Sequence, residues 1–425
     1  MTSITGDGDS SGGSVPPWLW FWVVLYVISL PDQIRLYEPA IVDLFFHKDW
    51  LVLANVPELL PFLALFIGIL LIPFPWLRAF YLERRFQLAE PDRNSSALTE
   101  METFLQQHAP GIHIKTNMLR TDQLAFVYPL GYRKTGIALF GSLFRLWRSD
   151  RQTAEAILLH EVAHCRHGDA LVIGVGSFFE AVVRNFIVLY LLFCFLPLSW
   201  SFASQSIDAL QSGIPFAHKL QQIFTIILPG SFLQSLGLLG GLASVFVLPI
   251  IAIWSAEFNA DRFVINQQKS SFDLLQALNK ISLPLSIFSW IIFRLTHPPI
   301  KIRKWAAEPR LGKFLLVLLL FPVAYFAKLL ALIIRALSEY LSIYSDFAEI
   351  FVQLTDNIKT YFAAIAPIWC AMAGFFLLWP FMSMYWEQYF GGSRGTQSFG
   401  TYAPYLLSAL IVGLLALLWI YGTIS

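Results

Sequence analysis

Charge is what this chain has least of. Only 13% of its 425 residues are Asp, Glu, Lys or Arg, against 56% apolar and 16% aromatic, a balance too apolar for an ordinary soluble domain. The net charge of +1 gives no electrostatic reason to expect nucleic acid or another polyanion as a partner. Cysteine is nearly absent as well. Cys165, Cys194 and Cys370 form neither an even disulfide set nor a metal-ligand spacing, so they are read as small core residues. The first sixteen residues hold Asp7 and Asp9 but no Lys or Arg. The basic start of a cleavable signal peptide is therefore missing, and the first apolar block is expected to stay attached.

What the sequence does have is long apolar runs, and a run of about 18 or more is what a helix needs to cross roughly 30 Å of hydrocarbon. Seven blocks qualify, near 17–37, 51–77, 171–198, 224–254, 314–337, 361–386 and 402–422. They predict a polar tail (1–16), an N-terminal transmembrane hairpin (17–77), a first soluble half (78–170), a second hairpin (171–255), a second soluble half (256–312) and a C-terminal region of three spans (313–425). Arg78, Arg84, Arg85 and Arg93 follow the second block, and Arg262, Lys301, Arg303 and Lys304 lie in the second half. By the positive-inside rule both halves face the cytoplasm, at the membrane of a multi-pass protein. Within the third block Glu180 and Arg184, four apart, can pair, and read as a structural clamp between spans or, as the lesser alternative, as lining a route by which substrate enters. The run at 281–293 is too short to cross and reads as core or interface.

Between 78 and 170 the pattern alternates. Leu98, Met101, Phe104 and Leu105 recur at helical spacing, and β-rich runs follow at 112–115, 124–128 and 136–140, as in a small sheet. Ser149 and Asp150 offer caps for a helix starting near Arg151. That helix carries HEVAH. Positions four apart share a helical face, so His160 and His164 can present two imidazole nitrogens to one zinc ion. Glu161, about 100° round the axis, can reach a water at the metal without ligating it and act as general base, then pass the proton to a leaving amine. A catalytic zinc needs a third protein ligand and an open position. Glu257 in SAEFNADRF is the best candidate, because two crossings after His164 return the chain to the same side. Asp261, one turn on, can accept a ligand histidine's free ring N–H. His167 would crowd three ligands onto one helix and is given a surface role, and Asp169 a structural one.

HEVAH, the later EFNAD and the segment from Thr296-His297-Pro298-Pro299 to Arg303, in that order, resemble the membrane gluzincin peptidases that include HtpX and the CaaX prenyl proteases. The resemblance covers roughly 90–310. It implies Glu257 as the third zinc ligand, His297 near the zinc as a catalytic group, Arg303 with Asp261 behind the ligands, and the strand near 136–140 as the edge on which substrate is laid. HEVAHCRHGD also resembles the antibiotic-sensing metallopeptidases of the BlaR type, which carry a Cys where this chain has Ala260.

The expected fold class is thus a multi-pass α-helical membrane protein with a zincin-like α+β catalytic domain split by a transmembrane hairpin. The expected function is zinc-dependent hydrolysis of peptide bonds in membrane-associated proteins, with one zinc ion as cofactor and protein substrate and lipid bilayer as partners. A non-proteolytic transporter and a zinc-stabilised scaffold are the rival readings.

Overall fold

The computed structural model describes residues 69–72, 74–92, 95–132, 134–177, 180, 195–268, 274–276 and 297–307, with single positions beyond (330, 333, 352, 378, 382, 385 and 386). Four elements open the described part. They are α1 (Pro75–Arg85), α2 (Ser96–His108), β1 (His113–Asn117) and β2 (Ala125–Pro129). Next come β3 (Thr135–Phe140), α3 (Gly141–Ser149) and α4 (Arg151–His167), the last followed by a 3₁₀ turn at Asp169–Leu171. Then follow α5 (Leu196–Gln211), α6 (Phe216–Gln222), a π-helical turn at Ile223–Ile227, the long α7 (Leu228–Gln268) and α8 (Ile300–Ala307).

The sheet is ordered β1-β3-β2, with β1 parallel and β2 antiparallel to β3. Strand side chains alternate between faces, and both faces are apolar here. Val127, Ile137 and Leu139 join Leu98 and Met101 of α2, Leu143 and Trp147 of α3, Leu158 and Val162 of α4 and Val264 of α7 in one core. Phe126, Tyr128, Ala138 and Phe140 point the other way, against Ala79 and Leu82 of α1 and Phe86. The sheet is therefore sandwiched between α1 and the packed helices α2, α3, α4 and α7. Such double coverage requires near-continuous apolar strands.

Caps fix the helix that matters most. Asp150 accepts from the Thr153 N–H (3.2 Å) and hydroxyl (2.7 Å), starting α4. Gly168, at φ 74°, ends it in the left-handed conformation, its N–H returned to the last carbonyls, a position that glycine occupies without steric penalty.

Two expectations are corrected. Among the described residues no helix is long and apolar enough to cross a membrane, and what is described is an α+β fold with a small sheet. The multi-pass class with a domain split by a transmembrane hairpin is overturned. The physical reason is that apolar content reports burial without saying what the residues are buried against. The block at 171–198 opens in turns, with Gly174 and Gly176 at positive φ. The Arg78 guanidinium fixes this segment by donating to the carbonyls of Ala170 (2.9 Å), Ile173 (2.8 Å) and Val175 (2.9 and 3.2 Å). The block at 224–254 opens in the π-helical turn and continues unbroken, as α7, into the polar stretch that packs on α4. The second correction concerns the 136–140 strand. β3 is paired on both sides, so among the described residues the edges are β1, where Ala89 bridges Thr116, and β2, which lies on the side of Glu161. The blocks near 17–37 and 402–422, most of those at 51–77, 171–198, 314–337 and 361–386, the run at 281–293 and Arg184 lie outside the described residues.

Candidate active site

α4 lies across the sheet with β2 on one side and α7 on the other. One turn of helix separates His160 from His164, and their Nε2 atoms face each other at 3.3 Å. α7 brings Glu257 to the same point. Its Oε2 is 3.5 Å from His160 Nε2 and its Oε1 3.7 Å from His164 Nε2. The three groups offer ligand atoms all within 4.8 Å of one another. Donors bound tetrahedrally at about 2.0–2.1 Å stand roughly 3.3–3.4 Å apart, so the observed spacings are close to those of a closed donor set.

The shell behind these groups tests whether a cation fits. His164 Nδ1 is 3.1 Å from Asp169 Oδ2. His160 Nδ1 is 3.1 Å from Asp261 Oδ1, within reach although off the line of a good hydrogen bond. A carboxylate behind each ring draws the ring proton to Nδ1. Both Nε2 atoms then turn lone pairs toward each other and toward a carboxylate, an arrangement that repels itself unless a cation sits between. Charge counts the same way. Glu161, Glu257, Asp261 and Asp169 crowd the site, and among the described residues the one arginine with them is Arg303. Its Nε and Nη2 donate to both Asp261 oxygens (2.8 and 2.5 Å), and its Nη1 stands 3.3 Å from Glu257 Oε2.

Electrostatics follows from this crowding. Burial acts to raise both acids of α7, but the positive charge of His297 and Arg303 holds the Glu257 carboxyl well below its ordinary range, and Arg303 holds Asp261 down in the same way. For His160 burial acts downward, yet the close carboxylates of Asp261 and Glu257 outweigh it and lift the ring to about 10. His164 is also raised, by Asp169 against burial. The acids thus draw protons onto the rings, the same demand for positive charge that a metal bound between them would meet instead.

Glu161 points elsewhere. Its Oε2 accepts from the Val127 N–H of β2 at 3.2 Å, and burial raises its carboxyl above the ordinary value. His297, with 41% of its side chain exposed, stands at the rim with Nε2 3.8 Å from Glu257 Oε1. His167 is outside the convergent trio, its carbonyl accepting from Trp386 Nε1 at 3.0 Å. Every residue singled out from the sequence, His160, Glu161, His164, Glu257, Asp261, His297 and Arg303, thus lies in or beside one cluster. Asp169 joins them behind His164, where the sequence reading gave it only a structural part. The glycine after the last helical turn was the available signal, since a left-handed Gly168 folds the chain back toward the preceding ring.

Two helices that converge two imidazoles and a carboxylate, beside a sheet edge and a further, non-ligating acid, define the site of a metallopeptidase. The model of peptidase family M48 matches residues 95–310, half of the chain, and the chain belongs to that family, which takes in the gluzincins of the HtpX and CaaX prenyl protease type. No curated protein and no solved structure matches it.

Proposed function

We propose that the chain is a zinc metalloendopeptidase that hydrolyses peptide bonds of proteins at a membrane. The observation that carries the reading is the meeting of the His160 and His164 Nε2 lone pairs with Glu257 at tetrahedral-edge spacing. Those three residues would hold the zinc, and Asp261, Asp169 and Arg303 would keep their rings and carboxylate aimed. When bound, zinc supplies Lewis acidity that polarises the scissile carbonyl and makes water more acidic. Glu161 takes the proton from the attacking water and delivers it to the leaving amine, its carboxylate oriented by the Val127 N–H. The His297 ring, at the exposed rim, is placed to donate to the oxygen on which charge develops. The outer edge of β2, turned toward α4 at Val127, offers an extended peptide backbone partners with little demand on its sequence. Membrane-associated substrates are the part of this reading that comes from the resemblance to membrane gluzincins.

Casein cleavage and zinc content, measured together on the purified chain and on Glu161→Gln, test the reading. Glu161→Gln is expected to keep its zinc and lose cleavage by about 10²–10⁴-fold, the range of a positioned general base. Unchanged cleavage would sink the role of Glu161, and wild-type protein without metal would sink the whole assignment.

A further inference from the structure

A helix on a protein surface normally buries its apolar stripe and shows its charges to water. α1 does the reverse. Trp76, Leu77, Phe80 and Tyr81 face outward at 48–57% exposure. The inward side carries Ala79 and Leu82 and turns Arg78 into the protein, where burial pushes the guanidinium down to about 10 against the opposing charge of Glu180. The outward patch is continuous. Phe74 meets Trp76 edge-on at 5.6 Å, and Trp76 meets Tyr132 of the β2–β3 turn at 6.2 Å. Contiguous exposed apolar surface of this kind marks a place where something docks.

Charge identifies the occupant. Arg84 stacks on the Phe80 ring at 4.2 Å, and Arg85 donates to the Tyr81 hydroxyl at 3.1 Å. The one acid of the helix, Glu83, is turned inward to Lys115 (2.9 Å) and the Tyr128 hydroxyl (3.2 Å). The outer face is therefore aromatic and basic, with no carboxylate on the helix to oppose it. Amphipathic aromatics beside arginines suit the boundary between acyl chains and anionic headgroups. Eleven residues make a rod of about 16 Å, too short to cross roughly 30 Å of hydrocarbon. The helix can lie along the boundary.

We propose that the outer face of α1, extended by Tyr132, is a docking surface for an anionic bilayer. It would sink Trp76, Leu77 and Phe80 below the headgroups and leave Arg84 and Arg85 among the phosphates. The surface stands on α1 itself and holds whether or not the zinc assignment does. It also bears on the active site, because Arg78 of the same helix grips the segment that follows α4. Docking through α1 fixes the orientation of the HEVAH helix toward the membrane.

The test reads depth at one residue, so that other apolar segments of the full chain do not decide it. A nitroxide is attached at Phe80→Cys, and for reference at Glu102→Cys on α2, in a chain whose three native cysteines are replaced by alanine. Accessibility to oxygen and to a water-soluble nickel chelate is then measured with vesicles of phosphatidylcholine alone or mixed with phosphatidylglycerol. The Phe80 label is expected to gain about fivefold or more in oxygen-to-nickel ratio on mixed vesicles while the Glu102 label stays aqueous. Arg84→Glu with Arg85→Glu should remove most of that gain. A Phe80 label as nickel-accessible as the Glu102 label would overturn the proposal. Shielding from both reagents would do so too, since it means that protein covers the face, and an equal gain on phosphatidylcholine alone would overturn its anionic character.

Discussion

Asp169 stands five residues beyond His164, across the left-handed Gly168, and its Oδ2 is 3.1 Å from the His164 ring. Asp261, on α7, stands 3.1 Å behind the His160 ring, off the line of a good hydrogen bond and itself held by two Arg303 donors. Groups behind a ligand fix its tautomer and raise its basicity, and their loss weakens metal binding by about 10–100-fold. Asp169→Asn and Asp261→Asn should each show a loss in that range when zinc affinity is measured by competition with a chromophoric chelator. Glu257→Ala, which removes a donor outright, should lose more than either, and unaltered affinity there would refute its place as a ligand. These residues differ in how legible they were. The spacing of His160 and His164 follows from helical geometry alone, and the facing of Glu257 and Asp261 from the same period. Asp169 becomes visible only once the helix is known to end at Gly168. Arg78 was read merely as one of a group of basic residues, because its three acceptors lie more than ninety positions away and carbonyls leave no mark in a sequence.

At the scale of elements, the segment after α4 hangs on that arginine. Arg78→Met keeps much of the side-chain bulk but deprives the carbonyls of Ala170, Ile173 and Val175 of their donor. A buried acceptor left unsatisfied costs about 1–3 kcal/mol. Water can reach part of this half-open site, so a total loss of roughly 2–4 kcal/mol is expected in denaturant unfolding. Amide exchange should quicken at 171–177 before it does in β3, and an unchanged exchange pattern would show that the clamp does not hold the turn. The strands themselves were legible, as runs of β-rich residues within one or two positions of β1, β2 and β3, because alternation is local. Their order was not. β3 sits in the middle since both its faces and both its edges are apolar or paired, and pairing across distant positions is set by packing that no short window displays. The edges accordingly fall to β1, bridged by Ala89, and to β2, whose Val127 N–H reaches Glu161.

The molecule as a whole was misread where composition was asked to name the surroundings of a residue. A run of apolar residues is equally what a span and a buried helix need. α7 shows the difficulty, since one continuous helix joins an apolar stretch to the acids of the site. What unites the described fold is a charge problem at its centre. α4 and α7 are pressed together around Glu161, Glu257, Asp261 and Asp169, with Arg303 the only arginine with them among the described residues. Packing forces these acids together, and a divalent cation relieves the repulsion, so metal binding and stability must be coupled. Stabilisation should grow with free zinc as RT ln(1 + [L]/Kd), about 2.7 kcal/mol at a hundredfold excess over Kd. Thermal unfolding with a chelator and with zinc restored should therefore give a lower midpoint without metal, recovered on addition. Glu161→Gln should keep the zinc-dependent rise, because the mutation spares the donors, whereas Glu257→Ala should lose most of it. A wild-type midpoint indifferent to metal would mean that the α4–α7 junction tolerates its acids unaided, and the cation would then have no structural part.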